Sequence, residues 1–361
     1  MSFELFPQGG PLNAKRVGPD QYSMSVSLPK DADERVAREC PNANCSPGYF
    51  KVTPGTGITQ GQKIAYCPYC RRSAKPSDFH TKEQIRYVKD LVSREAMTGI
   101  QRALRDALGL DSGGRKRLVD GPIKVDLEMK SSPPAHVWKP YEEILRRDLI
   151  CPKCTLDHSV YGLAIWCPDC GEDIFLAHVK AEIGVIEAIV GDVDRRRHEL
   201  GRRVAVRDLE NALEDLVSAF EATLKFEIRR YRRTKGDTDD QVDLTMNKIG
   251  SRLQSVSNAA TIIPPLCNNV MLLPAGSSDE TKLDRVFQKR HPITHNLGVV
   301  DRKYIDRVRC GDAEGTEVRV EKNEILETAK ITFAVLSEFH SKLFPSTTSS
   351  TLSETVSNSS G

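Results

Sequence analysis

Two sets of four cysteines constrain the fold of this chain more than any other feature of its sequence. The first set consists of Cys40, Cys45, Cys67 and Cys70, and the second of Cys151, Cys154, Cys167 and Cys170. Two cysteines separated by two residues form a tight turn whose thiolates point at one ion, and two such turns complete a tetrahedral zinc site. The spacing therefore predicts two zinc ribbons, each holding one zinc ion.

The ligand type indicates what these two ions do. Four residues separate Cys40 from Cys45, whereas two residues separate the cysteines of every other pair. A zinc ion held by four thiolates has no open position for a substrate, so both ions are expected to be structural rather than catalytic.

The ribbons can be interpreted in two ways. In the first, the two zinc sites only stabilise the fold. In the second, one or both also bind nucleic acid or a partner protein, because Arg71, Arg72 and Lys75 follow the first set and nearby tyrosines could stack on bases. The sequence leaves both interpretations open.

The charge balance excludes a uniformly basic surface. The 361 residues carry 52 Lys and Arg against 50 Asp and Glu, a net charge of +2, so any contact with nucleic acid must come from local patches. One patch lies between residues 195 and 235, where 12 basic residues accompany 7 acidic ones. Its candidate nucleic-acid-binding residues are Arg229, Arg230, Arg232 and Arg233. The same pattern is also typical of a solvated helical face.

Hydropathy and cysteine usage predict a cytoplasmic protein with no membrane partner. No apolar run approaches the roughly 20 residues needed to span a bilayer, and the first residues lack the pattern of a signal peptide. Eight of the ten cysteines fall into the two sets, which favours metal binding in a reducing compartment over disulfides.

Composition and periodicity predict a multidomain, mainly α protein with two small four-cysteine ribbons followed by an all-helical domain. The predicted segments are an N-terminal segment (1–35), ribbon 1 (36–80), a helix and linker (81–148), ribbon 2 (149–177), the helical domain (178–345) and a disordered tail (346–361). Apolar residues at helical spacing predict helices at about 78–109, 204–231, 241–258 and 323–344. We expect Gly99 to interrupt the first of these, and Pro264-Pro265 to form a loop.

A short motif near the C-terminal end carries the chemistry. It reads Arg290-His291-Pro-Ile-Thr-His295 and is followed by Asn296. A histidine can move a proton near neutral pH, and an arginine can hold the charge that develops on a phosphate. These two groups suffice to cut RNA without a catalytic metal.

Residues 178–345 resemble the HEPN domain, an all-helical bundle, on the strength of this motif and the helices around it. The motif fits that family's pattern of Arg, a polar residue, three further residues and His. The helix containing Leu216 to Glu221 is similar to the family's first long helix, where an acidic residue often lies.

The resemblance implies a metal-independent endoribonuclease in which an RNA 2′-hydroxyl attacks the adjacent phosphorus. His295 would shuttle the proton and Arg290 would hold the phosphate oxygens, with His291, Asn296 and Glu221 in support. It also implies a homodimer, because residues five apart do not share a face of a straight helix and the family unites two copies of the motif at one cleft. Proteins of this arrangement look like toxins or anti-phage defence effectors, for which an activator or antitoxin partner is expected.

Several alternatives stay open. His291 and His295 are four residues apart and could bind a metal, although a third ligand is not evident. The domain could be HEPN-like but act as a non-catalytic adaptor that binds nucleic acid or protein, and Arg290 and His295 could be ordinary polar residues. Glu221 could be a solvated acid paired with Lys225. The remaining cysteines, Cys267 and Cys310, are interpreted as packing residues.

Overall fold

A computed structural model describes residues 6, 10–19, 21–111, 115–119, 125–128, 147–308 and 312–345. The chain forms two compact units, Met1–Ile174 and Phe175–Gly361. The predicted disordered tail and Cys310 lie outside the described residues. As predicted, the described part is mainly helical, with small sheets confined to the N-terminal unit.

The N-terminal unit contains short antiparallel strands and one long helix. The strands are β1 (Lys15–Gly18), β2 (Gln21–Ser23), β3 (Val36–Glu39), β4 (Tyr49–Val52), β5 (Ala65–Tyr66), β6 (Ser73–Ala74), β7 (Arg115–Val119), β8 (Val125–Glu128), β9 (Arg147–Ile150) and β10 (Asp157–Val160). The helix is α1 (Lys82–Leu108), which follows a 3₁₀ turn at Pro76–Phe79.

Strands from both predicted ribbons join in one four-stranded antiparallel sheet. Its order is β3-β4-β10-β9, so β4 of the first ribbon pairs directly with β10 of the second. In that pairing His158 lies opposite Val52, and Val160 opposite Phe50. The two ribbons therefore share a sheet, a pairing that cysteine spacing alone does not reveal.

A buried arginine also links the two ribbons. The guanidinium of Arg35, which lies just before β3, forms ion pairs of 3.5 Å with Asp148 and 3.0 Å with Asp157 on the second ribbon. Only 8% of the Arg35 side chain is exposed. Because removing one partner of a buried ion pair leaves an uncompensated charge, these contacts oppose separation of the ribbons.

Helix α1 begins and ends close to the predicted positions. Thr81 caps its start, with the Thr81 hydroxyl accepting from the backbone N–H of Gln84. Gly109 ends it with a φ of 63°, a left-handed conformation that glycine adopts without strain. The expected interruption at Gly99 is wrong, since Gly99 is buried inside a continuous helix.

The C-terminal unit is a set of helices around one long central helix. The helices are α2 (Phe175–Gly191), α3 (Val193–Leu200), α4 (Arg202–Thr234), α5 (Asp239–Ile249), α6 (Val256–Leu266), α7 (Ser278–Gln288), α8 (Arg290–His295), α9 (Arg302–Val308) and α10 (Lys322–Leu343). Helix α4 packs against α2, α3 and α10. Its apolar stripe is fully buried at Leu213, Leu216, Phe220, Leu224 and Ile228, as the helical period requires.

The region predicted as one helix at 241–258 differs from that expectation. Helix α5 ends at Gly250, where φ is 56°. A 3₁₀ turn at Arg252–Gln254 follows, and Ser255 caps the start of α6. The expected loop at Pro264-Pro265 is also wrong, because both prolines lie in the last turn of α6, which the buried Ile263 anchors in the core. No helix in the described ranges is long and apolar enough to cross a membrane.

A buried histidine gives the N-terminal unit a predicted pH dependence. His158 is fully buried, and this burial lowers its pKa to about 4 despite the Leu156 carbonyl, which raises it. An unfolded histidine titrates near 6.5. Below that pH the unfolded chain takes up a proton that the folded chain does not, so stability is present above pH 6.5 and is lost toward pH 4.

The full effect amounts to about 3 kcal/mol of unfolding free energy. About 2 kcal/mol of this effect falls between pH 7.5 and 5, where thermal melting measures it on the wild type and a His158→Gln variant with zinc in excess. Acid weakens the zinc sites of both proteins alike, so the difference in slope isolates the imidazole. Equal slopes would contradict this prediction.

Candidate functional site

The eight paired cysteines form two clusters whose geometry fits zinc. Within each cluster the sulfur atoms lie within 4.8 Å of one another. The Sγ–Sγ distances include 3.6 Å for Cys40–Cys70 and for Cys45–Cys67, 3.7 Å for Cys151–Cys170 and 3.5 Å for Cys154–Cys167. A tetrahedral ion with zinc–sulfur bonds of about 2.3 Å requires sulfur–sulfur edges of about 3.8 Å. Each cluster could therefore hold one zinc ion without rearrangement.

The pKa values of these thiols couple zinc binding to pH. Burial raises the pKa of Cys45 and of Cys154 to about 12 and also raises that of Cys67, whereas at Cys70 and Cys151 the effect of burial is outweighed by hydrogen bonds that lower the pKa. All four thiols of a cluster can become thiolates together only when a positive ion compensates their charge. Zinc binding would release their protons.

The two clusters hold each other's loops through reciprocal hydrogen bonds. The backbone N–H of Tyr66, just before Cys67, donates to the carbonyl of Pro168 at 2.7 Å. The backbone N–H of Trp166, just before Cys167, donates to the carbonyl of Pro68 at 3.1 Å. The two cysteine turns are thus related by an approximate two-fold arrangement.

Side chains repeat this reciprocity. The guanidinium of Arg71, just after Cys70, lies 4.0 Å from the ring centroid of Trp166. Gly171, just after Cys170, lies against the ring of Tyr66, where a Cβ would stand 3.0 Å from two ring carbons. Gly171 has a φ of 66° and leaves room for that ring. We call this joint structure of residues 36–80 and 147–174 the double ribbon.

A separate cleft in the C-terminal unit collects the motif residues. Its volume is about 490 Å³, and it lies between the 3₁₀ turn, the start of α6, the end of α7, α8 and α9. Its charged and histidine side chains are Arg252, Asp284, Arg290, His291, His295 and Arg307. Among the described residues that line the cleft, three are arginines and one carries a carboxylate. This excess of positive charge favours an anionic ligand.

The junction between α7 and α8 aims the motif into this cleft. Lys289 is buried and donates from Nζ to the Glu324 carboxylate on α10 at 2.7 Å and to the Arg319 carbonyl at 2.7 Å. Helix α8 then begins at Arg290, with Pro292 buried in its first turn. Although residues five apart diverge on a straight helix, Arg290 and His295 of one chain both line the cleft.

Arg290 and Glu221 belong to one hydrogen-bonded chain. Nη1 of Arg290 donates to Oε1 of Gln254 at 2.6 Å, and Nε2 of Gln254 donates to Oε2 of Glu221 at 2.7 Å. The other oxygen of Glu221 lies 2.6 Å from Nζ of Lys225. Glu221 therefore has the helical partner expected of a surface acid and also a link to the motif.

The two motif histidines are neighbours with different surroundings. Their ring centroids are 5.3 Å apart, and Nε2 of His291 lies 3.7 Å from Oδ2 of Asp301. Burial, together with the charge of Lys303, lowers the pKa of His291, although Asp301 opposes this. His291 is therefore neutral at pH 7, whereas His295 is exposed at the cleft.

Asn296 does not line the cleft. Its Nδ2 donates to the carbonyl of Val299 at 2.7 Å, which holds the turn after α8. The structure thus brings Arg290, His291 and His295 together, links Glu221 to them through Gln254, and places Asn296 in a bracing contact.

The arginines of the predicted basic patch have intramolecular partners. Ion pairs of 2.6, 2.5 and 2.9 Å join Arg229 to Asp243, Arg232 to Asp237 and Arg233 to Asp239. The guanidinium of Arg230 covers the ring of Phe344 at 4.1 Å. These contacts brace the corner between α4 and α5 and compensate much of the positive charge. Arg71 and Arg72 are exposed on the double ribbon, although Arg71 also stacks on Trp166.

Three side chains that complete the cleft lie outside the sequence motif. Two of them, Arg252 and Gln254, lie 38 and 36 residues before Arg290, and Arg307 lies 17 residues after it. None of these separations matches a known motif spacing. Cys267 is fully buried and burial raises its pKa to about 12, as expected of a packing residue.

No known protein family, curated protein or solved structure matches this chain.

Proposed function

We propose that this protein is a metal-independent endoribonuclease of the HEPN type, with the cleft around Arg290 and His295 as its active site. The observation that carries the proposal is the convergence of Arg290, His291 and His295 in one cleft with two further arginines. A phosphodiester brings the negative charge that such a cleft attracts, and a histidine at its rim supplies the proton transfer that RNA cleavage needs.

In the proposed reaction the 2′-oxygen of a ribose attacks the adjacent phosphorus. The 2′-hydroxyl loses its proton, the bond from phosphorus to the 5′-oxygen breaks, and that oxygen takes up a proton. The products are a 2′,3′-cyclic phosphate and a 5′-hydroxyl. His295 shuttles the proton, and Arg290 donates to the phosphate oxygens as their charge grows.

His291 has a supporting role in this proposal. Its lowered pKa keeps the imidazole neutral near pH 7, so His291 adds no positive charge to the three arginines of the cleft. A neutral ring can both accept and donate a hydrogen bond and can orient the substrate next to the proton-transferring residue.

Homodimerisation, an activator or antitoxin partner, and a role as a toxin or anti-phage effector belong to the same proposal. They rest on the family resemblance, because Arg290 and His295 already share a cleft within one chain. The zinc ions have no part in the chemical step. They hold the double ribbon, whose exposed Arg71 and Arg72 are the residues best placed to bind RNA or a partner protein. Such binding is dominated by charge and falls steeply with salt.

Cleavage of matched oligonucleotides tests the proposal. The full-length protein is incubated, with brief addition of EDTA, with an RNA oligonucleotide and with DNA of the same sequence. We expect cleavage of the RNA in the chelator and none of the DNA, which lacks the attacking 2′-hydroxyl. Salt-dependent RNA binding without cleavage would instead favour a zinc-ribbon adaptor, an alternative supported by the exposed Arg71 and Arg72.

A further inference from the structure

Gln254 lies between the guanidinium of Arg290 and the carboxylate of Glu221, with contacts of 2.6 and 2.7 Å. A guanidinium only donates and a carboxylate only accepts. Both neighbours therefore select the same orientation of the amide, with Oε1 toward Arg290 and Nε2 toward Glu221. We propose that Gln254 is a positioning residue that fixes Arg290 for phosphate binding, an inference that rests on the proposed function of the cleft.

The surroundings of Gln254 hold it in place. The preceding residue, Leu253, is fully buried, and the backbone N–H of Gln254 donates to the carbonyl of Ser251 at 3.1 Å. On the other side, Glu221 is 9% exposed and is held by Lys225 at 2.6 Å. Rotation of the amide would break two short hydrogen bonds, so Arg290 is oriented by an anchored group.

A neutral amide at this position preserves the charge of Arg290. A carboxylate in direct contact with Arg290 would occupy its donors in a strong ion pair and compensate its charge. Gln254 uses one donor, Nη1. Nε of Arg290 is buried, whereas Arg290 as a whole lines the cleft, so a phosphate oxygen would bind at the terminal nitrogens of its guanidinium. Glu221 thereby steadies Arg290 without neutralising it by direct contact.

Two substitutions of similar shape separate these roles. Gln254→Met keeps the size of the side chain but removes both hydrogen bonds. Gln254→Glu keeps the shape but adds a charge that pairs with Arg290 and repels Glu221. Steady-state cleavage of a labelled mixed-sequence RNA oligonucleotide by the full-length protein gives kcat and KM, and thermal melting verifies that each variant is folded.

For Gln254→Met we expect kcat to fall about 10- to 100-fold, because a small misplacement of a group that acts in the transition state is costly. KM should change less than about threefold, because Arg290 still lies in the cleft. Gln254→Glu should lose at least as much. The matched control is Gln241→Glu, an exposed position at the start of α5 where Glu serves in a capping box as well as Gln does. It should retain the wild-type kcat.

A double substitution tests whether Gln254 acts through Arg290. In an Arg290→Lys background, Gln254→Met should have little further effect on kcat, since the group that it positions is gone. If Gln254→Met lowered kcat by the same factor in the Arg290→Lys background as in the wild type, the inference would be overturned. It would also be overturned if the wild type cleaved RNA and both Gln254 variants had the wild-type kcat. A wild type unable to cleave RNA would instead overturn the proposed function together with this inference.

Discussion

Replacing Cys67 with serine is expected to release both zinc ions from the chain rather than one. Cys67 is fully buried in the first cluster, and the residues beside it hold the second cluster through the bonds between Tyr66 and Pro168 and between Trp166 and Pro68. Binding of a structural zinc ion contributes about 10–16 kcal/mol to folding, so its loss should unfold the first cluster and free the loops of the second.

Zinc content per chain and thermal melting measure this effect. We expect the content to fall from two ions to nearly none, and the melting transition of the N-terminal unit to disappear. Cys267→Ala is the matched control, because Cys267 is equally buried but lies outside both clusters, and it should keep two ions. A Cys67→Ser protein that retains one tightly bound zinc ion would show that the two ribbons fold independently.

Substitution of either Arg290 or His295 by alanine is expected to lower the rate of RNA cleavage by about 10³-fold. The loss of Arg290 removes a donor to the charge that develops on the phosphate, and the loss of His295 removes the proton-transferring group; each kind of change typically costs 10²- to 10⁴-fold. Zinc content and melting temperature should stay close to the wild-type values, since both residues lie in the C-terminal unit and neither belongs to a cysteine cluster.

The chain offers a matched control for each residue. Arg285 is exposed on α7 just before the motif, and His198 is exposed on α3, and neither lines the cleft. Arg285→Ala and His198→Ala should therefore cleave RNA at the wild-type rate. If the Arg290→Ala or His295→Ala variant cleaved RNA at the wild-type rate, the cleft would not be the active site.

Local sequence signals predicted the local parts of this structure. Cysteine spacing identified both thiol clusters, because four ligands around one ion leave few arrangements. Helical periodicity located α4 and α10, whose observed ranges, Arg202–Thr234 and Lys322–Leu343, differ by only a few residues from those predicted. In both cases a pattern that repeats along the chain specifies the structure directly.

Features that depend on distant residues could not be predicted in this way. The pairing of β4 with β10 joins segments about 100 residues apart, and the alternation within either strand does not specify its neighbour. The break at Gly250 was missed because the apolar spacing continues beyond it into α6. That break is followed by the 3₁₀ turn that places Gln254 next to Arg290. Without the turn, the sequence could not predict that Gln254 belongs to the cleft.

The chemistry of the fragment ends tests the central claim most directly. Wild-type and His295→Ala proteins are incubated with the same RNA in EDTA, and the ends of the fragments are determined by mass spectrometry. The proposed mechanism predicts 2′,3′-cyclic phosphate and 5′-hydroxyl ends from the wild type and no fragments from the variant. Ends with a 5′-phosphate and a 3′-hydroxyl, or equal cleavage by the two proteins, would contradict it.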